Sequence, residues 1–349
     1  MGTFSRRSLG TLFLLLPVTL SGTEPAKDEG RPRFTFQAVL SDFEPLRDRE
    51  ERKPELLYAG LEASFERKGW GAVVEIRGRE DRFRPYFGSG VWLEKGWAWL
   101  ATPVGQLRLG KLPSRFGPED ETFGGNLFSV NGVSRNPDWG MSVGDVSGRG
   151  LDQVEWGIRY IGQNDHVAWE DQGRGVESDP SGTLRDGLEG RGSYLWNQGL
   201  TTERVGLSAA TARIVDGSGR EKLRRTDLGA DVRGSFGPIA ATVGLFHRKG
   251  NDLEAVRSGD PAEPRVGYAD SWAGLFTLVA EFPNVVWRYV YSEWRYPGLD
   301  ADERIHQPSA SWTPRKGIAG TIEYSSWRRR TGGAVRTSNA LRFGLALTF

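Results

Sequence analysis

The residues of this chain that could do chemistry are few in kind. There is no cysteine and there are three histidines, so thiol nucleophiles and Cys/His metal clusters are excluded. His166 follows Asp165, a pair in which the imidazole could activate a water, but neighbours on an extended chain point to opposite sides. Ser309 lies three residues beyond His306, which puts the two on opposite faces of a strand and denies a Ser–His nucleophile its geometry. His247 falls near a strand end and reads as polar rim. No phosphate loop or dinucleotide fingerprint occurs, and the contiguous Glu119, Asp120 and Glu121 lack the alternate-residue carboxylates of a calcium loop. We expect neither an enzyme nor a cofactor. What remains is charge. Arg115 stands beside that acidic trio, flexible Gly124 and Gly125 follow, and Phe116, Phe123 and Phe128 in the same stretch need something to pack against. Charges of both signs facing each other across a narrow aqueous passage set up a transverse field that sorts solutes by charge.

Positioning such residues falls to strands. Leu341, Phe343, Leu345, Leu347 and the terminal Phe349 are apolar at every second residue, and Ala340, Arg342, Gly344, Ala346 and Thr348 between them are small or polar. One face of such a strand can meet hydrocarbon while the other meets water. At the other end Arg6 and Arg7 precede the apolar run Leu9 to Leu20, and Ser21, Gly22 and Thr23 follow, the pattern of a cleaved secretory signal peptide. The run is far short of the ~20 residues a spanning helix needs, and Pro17 would break it. Cleavage is expected between Ser21 and Ala26, giving a signal peptide over 1–25 and one barrel domain over 26–349. With no cysteine after the run, a lipoprotein anchor is excluded.

Composition agrees. The mean hydropathy is −0.48 and 26% of residues are charged, yet the chain carries 13 Trp and 17 Phe. A helical membrane protein cannot have such values, whereas a barrel averages a wet lumen with an apolar exterior. The formal net charge of +1 includes Arg6 and Arg7, so the mature chain has no basic field to attract nucleic acid.

Alternation recurs along the chain, with short turns and long polar loops taking turns, as in an all-β, antiparallel, up-and-down transmembrane β-barrel. Strands are expected at 33–43, 56–66, 70–79, 95–102, 106–112, 139–146, 152–161, 203–214, 226–236, 239–248, 267–281, 284–295, 304–313, 317–329 and 338–349. Parity requires one more between 161 and 203, for which Ser193 to Asn197 is the candidate. The sum is sixteen, with fourteen as the alternative because the fourth strand and the one near Ser193 are weakly marked. Sixteen strands enclose a lumen too wide for side chains to fill.

By alternation the lumen-facing acids are Glu62, Glu66, Glu75, Glu155, Asp227, Asp231 and Glu323. The lumen-facing bases are Arg77, Arg79, Arg108, Arg159, Arg233, Arg288 and Arg342, and the two sets balance. Trp70, Trp97, Trp99, Trp156, Trp287, Tyr289, Tyr291 and Tyr324 fall near strand ends or on outward positions, where amphipathic rings suit membrane interfaces. Trp294 and Trp327 are assigned inward, too few for an aromatic track that guides sugars.

The stretch Gly105-Gln-Leu-Arg-Leu-Gly-Lys-Leu-Pro-Ser-Arg-Phe-Gly-Pro118 resembles the segment of the phosphate-selective porin O/P family in which a strand with a Gly-Lys step runs into a Pro-Phe-Gly loop. The resemblance implies a sixteen-stranded homotrimer in the bacterial outer membrane whose third loop folds into the lumen, here Pro113 to Asp138. That loop would bring Arg115, Glu119, Asp120 and Glu121 opposite Arg77, Arg79 and Arg108. Phosphate-selective members carry an arginine ladder and a lysine cluster, from which this balanced set departs. The expected function is therefore passive diffusion of small hydrophilic solutes or inorganic ions with weak charge selectivity. A plugged barrel serving as scaffold or adhesin is the alternative, and a barrel hydrolase comes last. Outer-membrane lipid and the barrel-assembly machinery, which would read the strand ending in Phe349, are the other expected partners.

Overall fold

A computed structural model of the protein describes residues 32–45, 55–78, 91–114, 116–118, 138–149, 152–163, 183–198, 201–215, 221–249, 270–315, 317–331 and 333–348. The signal peptide expected over 1–25 lies outside the described residues. Among the described residues the chain forms sixteen antiparallel strands. They are β1 (Arg33–Pro45), β2 (Glu55–Arg67), β3 (Trp70–Gly78), β4 (Val91–Thr102), β5 (Gly105–Leu112), β6 (Asp138–Arg149), β7 (Asp152–Gln163) and β8 (Thr183–Gln198). The second half comprises β9 (Thr201–Val215), β10 (Glu221–Phe236), β11 (Ile239–Lys249), β12 (Ser271–Phe282), β13 (Val285–Tyr296), β14 (Ala301–Arg315), β15 (Ile318–Thr331) and β16 (Ala334–Thr348).

Each strand pairs with its sequence neighbours, and β16 closes on β1 with Leu345 opposite Leu40 and Leu347 opposite Ala38. Closure leaves no open sheet edge, the condition for strands to cross a bilayer with every ladder hydrogen bond made. At one end all seven links between strands are two residues long, whereas links at the other end run up to the 25 residues between Leu112 and Asp138. We call these the turn end and the loop end.

The expected sixteen strands are all present, and the weakly marked ones are longer than their alternation suggested. The strand near Ser193 is the sixteen-residue β8. Its outward positions include Gly190 and Gly192, which contribute no apolar signal, so periodicity fades although backbone pairing continues. β4 begins at Val91 rather than 95, and the strand expected over 267–281 begins at Ser271.

The packing is inverted relative to a water-soluble domain. Leu207 is 65% exposed and Leu245 64%, while Arg159 and Glu323 are each 1% exposed. Apolar surface so extensive and continuous requires an apolar solvent around it. On β12 the outward positions run from Trp272 through Phe276 and Leu278 to Phe282. Ten residue steps at about 3.3 Å, tilted by about 40°, give a band roughly 25 Å tall, the height of the apolar belt of outer-membrane barrels.

Candidate pore lining

Alternation turns one polar residue in two toward the interior, and on β2 to β11 these residues meet in ion pairs. Lys95 Nζ lies 2.7 Å from Glu62 and 3.0 Å from Glu75. Arg77 donates to Glu75 at 2.6 Å and lies 3.0 Å from Glu94. Arg159 grips both carboxylate oxygens of Glu189 at 3.0 and 2.9 Å and donates to the Leu112 carbonyl at 2.6 Å. Arg191 holds Asp231 through two bonds of 2.6 and 2.9 Å. Arg248 holds Asp227 at 2.8 and 3.2 Å, and Arg204 reaches Glu155. Paired two-point contacts of this kind fix geometry as well as charge. The wall therefore presents oriented dipoles rather than a field of one sign.

On β11 to β15 the inner face toward the loop end is different. Phe246, Leu275, Val290, Trp294, Tyr296 and Ile305 form a buried apolar cluster, in which Trp294 stacks on Tyr296 at 6.3 Å and 11°. The chain leaving β5 crosses to this cluster. Ser114 Oγ donates to Glu189 at 3.1 Å on β8, Gly117 N–H donates to Ser208 Oγ at 3.0 Å on β9, and the Phe116 ring packs on Phe246 of β11 at 5.9 Å. Residues 113, 114 and 116–118 thus pass over the inner faces of strands far from β5 instead of continuing past its end.

Most sequence-assigned lining residues lie on the inner face. Glu62, Glu66, Glu75, Glu155, Asp227, Asp231 and Glu323 do so, as do Arg77, Arg108, Arg159, Arg233 and Arg288. Arg77 and Arg159 are 2% and 1% exposed and committed to carboxylates. Arg108 donates to Gln106 at 2.6 Å, and the backbone of Arg342 is in register with Glu323. Arg79, Arg115, Glu119, Asp120, Glu121 and Phe349 lie outside the described residues. Their placement at a constriction or in the final strand is an expectation from sequence.

Two tryptophans depart from their assignment. Trp97 and Trp99 face the interior, in line with Lys95 opposite Glu75, Trp97 opposite Val73 and Trp99 opposite Gly71. The intervening Ala98 and Leu100 are apolar too, so β4 carries apolar residues on both faces and its alternation fixes neither. A bulge against β3 inserts Glu94 into the register. Sequence reading also missed Glu189 and Arg191, hidden in the glycine-rich β8, and Lys111, which donates to the Leu93 carbonyl at 2.8 Å. Arg204 and Arg248 were legible: extending the outward series Val205, Leu207 and Val243, Leu245 places both inside.

The histidines on strands sit elsewhere. His247 packs at a tilt on outward Trp272, ring centroids 4.3 Å apart, and His306 shares a 2.8 Å hydrogen bond with Tyr289 on the outer face.

A closed sixteen-stranded barrel with an apolar outside and an ion-paired inside has the architecture of a transmembrane β-barrel, and solved porin structures share its fold. The chain is similar to OmpF of Salmonella typhi in complex with daunomycin, at 13% identity and a TM-score of 0.63, covering 92% of this chain and 98% of that one. It is similar to the outer membrane channel DcaP of Acinetobacter baumannii, at 10% identity and a TM-score of 0.59, covering 93% and 99%. An anion-selective porin from Comamonas acidovorans aligns at 12% identity and a TM-score of 0.55, covering 91% and 100%. These likenesses are of fold. No family model matches the chain and no curated protein matches it, so the resemblance to the phosphate-selective porins rests on the motif over residues 105–118 together with the C-terminal strand.

Proposed function

We propose that this protein is a porin of the bacterial outer membrane, through which small hydrophilic solutes or inorganic ions diffuse passively. The observation that carries the reading is the course of Ser114, Phe116 and Gly117, which follow β5 and bind the inner faces of β8, β9 and β11 inside a closed sixteen-stranded wall. A segment anchored there narrows a lumen of this width without filling it. In this reading Arg115 and the continuation with Glu119, Asp120 and Glu121 supply the charged groups of the passage, an assignment that rests on sequence. Because the wall's own charges are largely spent on one another, selectivity by charge is weak and set at that segment. The apolar belt and the short turns at one end agree with a barrel inserted turn end toward the periplasm. Fold likeness to porins supports the same reading, with a homotrimer as the assembly and the segment 1–25 as the export signal.

Single-channel recording in planar lipid bilayers tests it. Refolded protein should insert in discrete conductance steps, and reversal potentials in a salt gradient should give only a small departure from non-selective diffusion. Insertion without conductance would replace the porin with a plugged barrel used as a scaffold or adhesin.

A further inference from the structure

The inward turn of Trp97 and Trp99 leaves two indoles on the inner wall that the packing of the barrel does not consume. Trp294 is stacked on Tyr296 and buried in the apolar cluster. Neither Trp97 nor Trp99 makes a ring contact with another aromatic among the described residues, and both are only half-buried. Trp99 lies over Gly71 of β3, where a methyl group would meet its Nε1 at 2.5 Å and its Cε2 at 2.7 Å. The glycine leaves room for the ring against the wall, and the ring stays partly exposed. Trp97 follows two residues along β4, about 6.6 Å away along the strand. Next on the same face comes Lys95, with Nζ 6.0 Å from the Trp97 ring and held between Glu62 and Glu75. The Lys95 and Glu62 side chains keep 28% and 35% of their surface exposed, so this rung is open to solutes.

We propose that Trp97 and Trp99 form a stacking subsite for saccharides, with Lys95 and Glu62 as its hydrogen-bonding rung. A sugar ring has an apolar C–H face and a rim of hydroxyls. The electron-rich indole face receives the first, while the carboxylate accepts from the second and the ammonium donates to it. Apolar platforms with a few placed polar groups are the usual composition of small-molecule sites. The charges choose among ring-bearing solutes. An ammonium beside the indole opposes a cationic ring, and two carboxylates flanking that ammonium oppose an anionic one, leaving a neutral polyhydroxylated ring. In a channel the contact must be weak enough to release, so the subsite slows a sugar in transit and raises its local concentration. This assignment rests on the porin reading for its purpose and on the wall geometry for its existence.

The experiment adds maltotriose to single channels of the refolded protein and measures the fall in ion current. The parent should be blocked in a saturable manner. The Trp97→Ala/Trp99→Ala protein should need roughly tenfold more sugar for the same block, the loss of about one aromatic contact per ring, and Trp97→Phe/Trp99→Phe should fall between. Equal block in parent and alanine variant, absence of block in the parent, or stronger block by benzoate or by a benzyl ammonium salt would overturn the subsite. Saturation-transfer NMR with maltotriose on detergent-refolded protein reads the subsite independently. A signal lost in the alanine variant upholds the subsite even if the parent conducts no current, in which case only the porin reading fails. The phenylalanine variants keep the test open if the alanine variant does not fold.

Discussion

Arg191 on β8 reaches over β9 to grip Asp231 on β10, and it does so through the space above Gly206. A Cβ at Gly206 would lie 2.3 Å from the Arg191 Nη2, and the bonded oxygens of Asp231 are 2.6 and 2.9 Å away. An ion pair that skips a strand ties three strands together from the lumen side, and it exists only because the strand between them has no side chain there.

Gly206→Val should therefore break this pair. Both partners are buried, Asp231 to 2% exposure, and separating a buried pair costs about 3–5 kcal/mol. Gly192→Val is the control, because Gly192 faces outward with nothing within 4 Å of its added Cβ. The temperature at which the folded, heat-modifiable band disappears on gels should fall for Gly206→Val and stay near the parent's for Gly192→Val. Equal behaviour of the two would show that the strand-skipping pair does not contribute.

The contact of Phe116 with Phe246 should hold the segment that follows β5 against the inner wall. Phe116→Ala removes a ring 4% exposed, a change that costs about 3–5 kcal/mol in well-packed sites. Here the loss is local to the segment rather than to the wall. Insertion into bilayers should persist while the single-channel current becomes noisier and larger. Phe246→Leu, which keeps an apolar seat, should be milder. An unaltered current in Phe116→Ala would detach residues 113–118 from any control of the passage.

Leu345 faces outward on β16 and Gln153 faces inward on β7. Leu345→Arg places a charge in hydrocarbon and should destabilise by about 2–4 kcal/mol if it sits near the midplane. Gln153→Arg, on an exposed inner position near the turn end, should be close to neutral. Urea-unfolding midpoints of the two variants in the same lipid or detergent would check the difference, and its absence would contradict the assignment of the two faces.

Neutralising Glu119, Asp120 and Glu121 together should shift the reversal potential toward anions, since the wall's bases are already paired and the segment would keep Arg115 while losing the three negative charges beside it. The shift should shrink as salt rises and the Debye length falls from about 10 Å at 0.1 M to about 3 Å at 1 M. A reversal potential that does not move would place the trio away from the narrowest section.

The architecture was legible because a membrane barrel writes itself in period two: the alternation of Leu341, Phe343, Leu345 and Leu347, and the parity of short turns and long loops, are local properties of consecutive residues. Sixteen strands follow from counting them, and the face of Arg77, Arg159 or Asp231 follows from its place in the count. The same reasoning fails where one face stops contrasting with the other. Gly190 and Gly192 erase the outward signal of β8 and with it the positions of Glu189 and Arg191, and Ala98 and Leu100 make both faces of β4 apolar, so that Trp97 and Trp99 could be placed only by the register of Lys95 with Glu75. Pairing across strands is a further step beyond local pattern. That Arg191 bonds Asp231 two strands away, that Phe116 rests on Phe246, and that Trp99 covers Gly71 depend on register, bulges and the closure of β16 on β1. Those are set by the packing of the whole sheet, because a side chain's partners are fixed by which strands lie beside it and not by which residues precede it.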